Sequence, residues 1–277
     1  MTYIELTFSQ LYNESLQEML SAMLSTVGCD SFFEDVDCFK AYCPTDQFNR
    51  KRIDTVLTDP MFGSVKLLSA EPLEDKNWNA IWESNYDPVL IADRCFIRAP
   101  FHEPNTSVEF DLVIEPKMSF GTAHHETTSQ MIQLLLDTDV NHCSLLDMGS
   151  GTAVLAILAR KLGANPVVAI DNDQWAYNNA VENVKLNQTD DILVELGDAS
   201  SIGNRSFDVI LANINRNILL SDMKVYAMAM HSDSRLMLSG FYETDLDVIK
   251  AEASQYRLKF ESSISKNNWV AALFTKA

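Results

Sequence analysis

The sequence predicts an α/β protein in which a small N-terminal α+β layer precedes a larger, mostly parallel sheet closed by an antiparallel hairpin. Three observations carry that class. From about residue 106, short apolar runs alternate with helical patterns of roughly ten to fifteen residues, the periodicity of a parallel sheet with crossover helices. The last two strand-like runs, YRLKFESSI and WVAALFT, are separated only by a short KNN-containing stretch. No crossover fits there, so the pair is antiparallel. Before residue 75 the order is strand, helix, strand, strand, helix, strand, a βαββαβ arrangement of ferredoxin-like kind.

Taken in order, YIELTF (3–8) places Ile4, Leu6 and Phe8 on one face of a strand. Asn13 caps a helix whose Leu16, Met19, Leu20, Met23, Leu24 and Val27 recur at three- and four-residue spacing, and Gly28 stops it. A strand near Phe32, a strand at DCFKAYC, a helix from about Asp46 to Thr58 ended by Pro60, and a strand at SVKLLSA complete a first domain, 1–75. Residues 76–105 read as a linker. Its two tryptophans, one tyrosine and three prolines suit either interdomain packing or a substrate-facing surface. The third part, 106–277, is the main sheet. Its strands are VEFDLVIE, SLLDM, PVVAID, DILVEL, FDVILAN and RLMLSG, and its helices fall near 125–137, 153–163, 173–187, 216–231 and 244–254.

Composition limits the function classes. The 277 residues are 47% apolar and 22% charged, enough for a sizeable core in an ordinary globular chain. No run approaches the ~18 apolar residues of a membrane span, and MTYIELTF carries no secretory pattern. Five cysteines, Cys29, Cys38, Cys43, Cys95 and Cys143, form no CxxC pair, which points to reduced thiols in the cytoplasm. The net charge of −18 repels a phosphate backbone and suits a basic partner, although solubility alone explains it equally well. Residues 1–88 hold six basic and fifteen acidic side chains, so half of that charge sits on under a third of the chain.

The chemistry begins where SLLDM runs into GSGTAVLAILARKLGA. Gly149 and Gly151 permit a tight turn and a close backbone approach to a ligand. Twenty-two residues after Gly149, the strand VVAID ends at Asp171, where a carboxylate accepts the hydroxyls of a ribose. Two cofactor classes use this geometry. In GSGTA the third small residue, Ala153, comes two positions after the second glycine, not three as in the GxGxxG dinucleotide fingerprint. The shorter turn matches S-adenosylmethionine binders, whose ligand has no phosphate to cradle. With Asp171 and the terminal hairpin it indicates a class I S-adenosylmethionine-dependent methyltransferase sheet, Rossmann-like, with NAD-dependent oxidoreduction as the competing reading. FDVILAN ends in Asn213, beyond a strand's carboxyl end, where its amide can reach the transferred group; a loop Asn bonding its own backbone is the plain alternative.

FGTAHHETT (120–128) admits a metal site, an acid/base centre or the lip of a cofactor pocket. A metal needs three or four convergent ligands. His124, His125 and Glu126 are sequence neighbours with no further ligand at suitable spacing, so no metal is expected. General-base chemistry at either histidine stays open beside simple loop hydrogen bonding.

The set FGTAHHETT, LLDMGSGTAVLAILARKLGA, VVAIDND, DVILANI and LSGF, with the connector WNAIWESNYDPVLIADRCFIRAPF, resembles the PrmA family, methyltransferases of a large-subunit ribosomal protein at the stalk base. The likeness runs from about residue 76 to the end, and the earlier residues match in size and placement only. It implies S-adenosylmethionine as cofactor, contacts at Thr128, Gly149, Asp171 and Asn213, and methylation of lysines and the N-terminal amine. It also implies an N-terminal domain that recognises the substrate. The partner expected is therefore a basic ribosomal protein, met by a cytoplasmic monomer that binds neither nucleic acid nor membrane. Other substrates of the same fold, or a silent nucleoside-binding module, remain alternatives. The family's FGTG and GxGxG here end in Ala123 and Ala153, each costly only if its φ is positive. Asn215-Arg216-Asn217 is more polar than the family's usual run, which bears on substrate scope.

Overall fold

The computed structural model describes residues 3–11, 13–35, 37–72, 86–117 and 121–277, and of Glu14 only the backbone. The chain forms two compact units, Met1–Asn85 and Tyr86–Ala277.

In the first unit, β1 (Tyr3–Ser9), α1 (Glu14–Thr26), β2 (Ser31–Glu34), β3 (Cys38–Pro44), α2 (Arg50–Leu57) and β4 (Leu67–Pro72) follow in the expected order. The sheet runs β2-β3-β1-β4 with every neighbour antiparallel. Ile4, Leu6 and Phe8 alternate into a core shared with Leu20 and Leu24 of α1 and Ile53 and Val56 of α2. Asn13 caps α1 by accepting from the Leu16 N–H, and Gly28 takes φ +107° just beyond its end. The second helix starts later than the reading from Asp46. Asn49 caps it by accepting from the N–H groups of Lys51 and Arg52, while the chain from Pro44 to Phe48 is a turn.

The second unit opens with a three-stranded side sheet of β5 (Val89–Ile91), β6 (Cys95–Arg98) and β7 (Phe110–Val113). Two expectations change here. VEFDLVIE supplies β7 of this side sheet rather than a strand of the main one. Of the residues read as linker, 76–85 lie outside the described residues, whereas 86–105 belong to the second unit and carry β5 and β6. Cys95 and Ile97 are buried in the main core, and Arg98 reaches across to both carboxylate oxygens of Asp111, at 2.9 and 3.0 Å.

The main sheet then alternates α3 (Glu126–Leu136), β8 (Leu145–Met148), α4 (Val154–Lys161), β9 (Val167–Asp171), α5 (Gln174–Leu186), β10 (Leu193–Leu196), β11 (Phe207–Asn213), α6 (Arg216–Met228), β12 (Met230–Tyr242), α7 (Leu246–Gln255), β13 (Leu258–Lys266) and β14 (Trp269–Lys276). Its order is β10-β9-β8-β11-β12-β14-β13, parallel through β12, with β14 antiparallel to both neighbours. The hairpin turns at Asn267 and Asn268, both with positive φ, as a two-residue turn of right-handed twist requires. α6 ends at Met228 rather than 231, because β12 already begins at Met230.

Side chains alternating along the central strands feed two cores. Leu145, Ala169, Leu211 and Met237 face α3, α4 and α5, while Leu146, Ile170, Ile210 and Leu238 face α6 and α7. This is a three-layer α/β/α arrangement, of the class I methyltransferase type. The chain leaves β8 outward to β9 and β10, then returns to β11 on the other side. Strand order therefore reverses between β8 and β11, and a crevice opens beyond their carboxyl ends. Among the described residues no helix is long and apolar enough to cross a membrane.

Candidate functional site

A cavity of about 890 Å³ occupies that crevice, and Gly149, Gly151, Asp171 and Asn213 all line it. The glycine turn comes first. Gly149 and Gly151 have φ of +70° and +54°, in the left-handed region that favours glycine. A Cβ on Gly149 would stand 2.3 Å from Cγ2 of Ile214, so bulk there displaces the β11 end. The N–H groups of Gly149 and Ser150 donate to the Ile170 carbonyl at 2.8 and 3.1 Å, fixing the turn beside β9.

Asp171 completes the fixation. Its Oδ2 accepts from the Gly151 N–H at 2.8 Å, and its Oδ1 from the Asp173 N–H at 3.0 Å. Each oxygen keeps a lone pair for a further donor, so the carboxylate fits a ribose diol on the cavity side.

Asn213, the last residue of β11, donates from Nδ2 to Thr128 Oγ1 at 3.2 Å. Its Oδ1 is buried and has no hydrogen-bond partner among the described residues. An orphaned acceptor of this kind normally costs about 1–3 kcal/mol. Thr128, 1% exposed, accepts from Asn213 through Oγ1 and is not itself among the residues lining the cavity, whereas its neighbour Thr127, 0% exposed, lines it with His125. A helix start presents successive side chains in different directions, and the TT pair does not show which one faces inward.

The two histidines diverge. His125 caps α3 through Nδ1, which accepts from the Thr127 N–H at 3.3 Å, and its ring lies edge-on to Trp269 at 4.8 Å. His124 bonds through Nε2 to the Asp87 carbonyl at 2.8 Å, with its ring 4.7 Å from that of Tyr86. Glu126 accepts from Nδ2 of Asn267 in the terminal hairpin at 2.7 Å, and this bond holds its carboxyl below the usual range. All three side chains of the HHE run are engaged in packing the loop onto its neighbours. Among the described residues no three His, Cys, Asp or Glu side chains converge as metal ligands.

Ala123 and Ala153 both fall in the left-handed region, with φ of +67° and +63°. A Cβ there costs about 1–2 kcal/mol. Both methyls are fully buried in the core, which returns roughly 0.8 kcal/mol each, and alanine loses less chain entropy than glycine by about 0.4–1 kcal/mol. The terms nearly cancel, so alanine is tolerated at both turns. The polar run after Asn213 is likewise accounted for. Asn215 caps α6 by accepting from the Ile218 N–H, and Arg216 pairs with Asp245.

Several site residues give little sequence signal. Trp269 lines the cavity from β14, with Tyr242 of β12 against it at 4.1 Å between ring centroids. Gly240 of the LSGF run has φ +93°, and a Cβ there would lie 2.1 Å from the Ile214 carbonyl oxygen. Asp147, inside the apolar run LLDM, is 1% exposed beneath the glycine turn, and its Oδ2 accepts from the Ala156 N–H at 3.1 Å. Burial pushes its carboxyl up to about 7, with the charge of Asp171 adding to the shift.

Asp147 makes stability depend on pH. Between the ordinary Asp value near pH 4 and about 7, the unfolded chain has released this proton and the native protein retains it. The native state then binds more protons, so stability falls as pH rises through that window. Asp147→Asn removes the dependence, and its gain in melting temperature over wild type is expected to be larger at pH 8 than at pH 5. Calorimetric scans at both values test this, and an equal difference at the two would refute it.

The model of the family described as ribosomal protein L11 methyltransferase (PrmA) matches residues 9–277. A curated protein named ribosomal protein L11 methyltransferase from Bacteroides fragilis is 44% identical over 278 residues, covering 99% of each chain. One of the same name from Chlorobaculum tepidum is 37% identical over 282 residues, covering 98% of this chain and 96% of its own. Among solved structures, a ribosomal protein L11 methylase from Lactobacillus delbrueckii subsp. bulgaricus superposes with a TM-score of 0.64 at 24% identity, over 69% of this chain and all of its own. That likeness is one of fold.

Proposed function

The chain belongs to the ribosomal protein L11 methyltransferase (PrmA) family, and on that premise we propose that it methylates lysine side chains and the N-terminal amine of ribosomal protein L11, using S-adenosylmethionine. The observation that carries the reading is Asn213, which lines the cavity and whose Oδ1 has no partner among the described residues, 85 residues along the chain from the threonine that fixes its amide. When bound, the cofactor supplies a methyl already activated by the sulfonium charge. The protein's part is then alignment and exclusion of water.

The glycine turn at Gly149 and Gly151 lets backbone approach the cofactor, and Asp171 accepts its ribose hydroxyls. Thr128 holds the Asn213 amide in one orientation. Asn213 Oδ1 accepts an N–H from the incoming amine and turns the nitrogen lone pair toward the methyl. A free lysine has a pKa of about 10.4, and desolvation against Trp269 and Tyr242 favours the neutral amine that can attack. Residues 1–75 act as the substrate-recognition domain, whose acidic balance suits a basic ribosomal protein. The enzyme works as a cytoplasmic monomer, and its net charge of −18 disfavours direct contact with nucleic acid.

The test is the intact mass of ribosomal protein L11 from a strain lacking this gene. The mass is expected to fall below that of the parent strain by whole methyl groups. An unchanged mass would remove L11 as the substrate.

A further inference from the structure

Three asparagines, Asn179 and Asn183 on α5 and Asn187 at its C-cap, recur at four-residue spacing and are 1%, 0% and 5% exposed. Such buried amides on one helix face need partners, and all of their polar atoms but Asn179 Oδ1 have one, several of them at the end of β7 and just beyond it. Asn187 accepts from the Val113 N–H at 2.9 Å and donates to the Val113 carbonyl at 2.6 Å. Asn183 accepts from the Glu115 N–H at 2.8 Å, and Asn179 donates to the Glu115 carbonyl at 3.3 Å. The side-chain amides thus stand in for a neighbouring strand along the free edge of β7.

Asn183 also does something an edge cover does not require. Its Nδ2 donates to the carbonyl of Thr152 at 3.0 Å, inside the glycine turn. Thr152 is itself fully buried, and its Oγ1 donates to the Gly121 carbonyl at 2.7 Å. One residue of the turn is therefore held through its backbone by Asn183, which also holds Glu115, and through its side chain by Gly121. Between those two attachment points lies Lys117, which lines the cavity and pairs with Glu182 of α5. On the other side of Thr152, Gly151 is the residue whose N–H Asp171 holds.

We propose that Thr152 and Asn183 are positioning residues for the cofactor: together they set the glycine turn against the chain on either side of Lys117, so that cofactor affinity, and not the transfer step, depends on them. The inference rests on the methyltransferase reading of the cavity. A purely architectural pair would lower thermal stability when broken and leave the binding of a ligand to the folded protein unchanged.

The test uses the full chain and S-adenosylhomocysteine as the titrated probe. Thr152→Val keeps the shape and the backbone bond to Asn183 but loses the bond to Gly121, and Thr152→Ser keeps both. Loss of one buried hydrogen bond that shapes the site is expected to raise the dissociation constant about tenfold for Thr152→Val and less than about twofold for Thr152→Ser. Turnover at saturating cofactor is expected to stay within about threefold of wild type in both. If Thr152→Val does not fold, Thr152→Ala answers the same question, since it keeps the backbone bond to Asn183 and has no hydroxyl to donate to Gly121. A lowered melting temperature with an unchanged dissociation constant would overturn the proposal, as would a loss confined to turnover. Wild-type protein that ignores the probe altogether would instead remove the reading beneath it.

Discussion

Asn213→Ala is expected to lower turnover roughly hundredfold while the dissociation constant for the cofactor stays within about threefold of wild type. The asymmetry follows from where the two ends of that amide point. Nδ2 is spent on Thr128 Oγ1, which fixes the rotamer, and Oδ1 has no partner among the described residues. An unpaired buried acceptor is a cost in the free protein, relieved only when a donor arrives. In this account that donor is the substrate amine, so alanine removes a group that meets the nucleophile and leaves the glycine turn and Asp171 untouched. Thr128→Val should share the defect in weaker form, because it frees the amide without removing it. Single-turnover methyl transfer, measured beside calorimetric binding, separates the two constants. Equal losses in both would contradict the role given to Asn213.

The opposite split is expected for Asp171→Ala. Its carboxylate accepts the Gly151 and Asp173 N–H groups at 2.8 and 3.0 Å and retains acceptor capacity toward the cavity. Hydrogen bonds to a charged acceptor contribute about 1.5–3 kcal/mol each. Losing two from a ribose diol therefore weakens the cofactor by roughly a hundredfold or more. The substitution also strands the Gly151 N–H, so part of the loss comes from a relaxed turn. At saturating cofactor, turnover should stay within about threefold of wild type, because nothing that touches the amine has changed. Asp171→Asn, which keeps one acceptor and swaps the other for a donor, should fall between wild type and alanine. A turnover defect at saturation that matches the binding defect would count against this division of labour.

Much of this arrangement is legible in the amino-acid sequence alone. The alternation of VVAID, FDVILAN and their following helices sets the parallel sheet. The short KNN-containing connection sets the terminal hairpin, and glycine spacing with a strand-end carboxylate sets the cavity. The parts that are not legible share a physical cause: they depend on what lies opposite a residue, not on the residue's own pattern. VEFDLVIE alternates equally well in a side sheet as in the main one, so its membership of the three-stranded sheet is invisible. Thr127 and Thr128 differ by one step around a helix, which decides that one lines the cavity and the other braces Asn213. Asp147 looks like an interruption of an apolar strand until the turn above it is placed. Gly240 looks dispensable until the Ile214 carbonyl is found where its Cβ would be. The asparagines of α5 read as an ordinary polar helix face, because the backbone they satisfy is more than sixty residues away along the chain. Polar side chains whose partners are distant backbone carry almost no local signature.

Titrating the wild-type protein with S-adenosylhomocysteine and, separately, with NAD is the shortest route to the central claim. The crevice between the Gly149 turn and Asp171 should bind the first at one site per chain, lose it in Asp171→Ala, and show no saturable heat with the second. Saturable uptake of the dinucleotide, with none of the nucleoside thioether, would leave no place for methyl transfer in this fold.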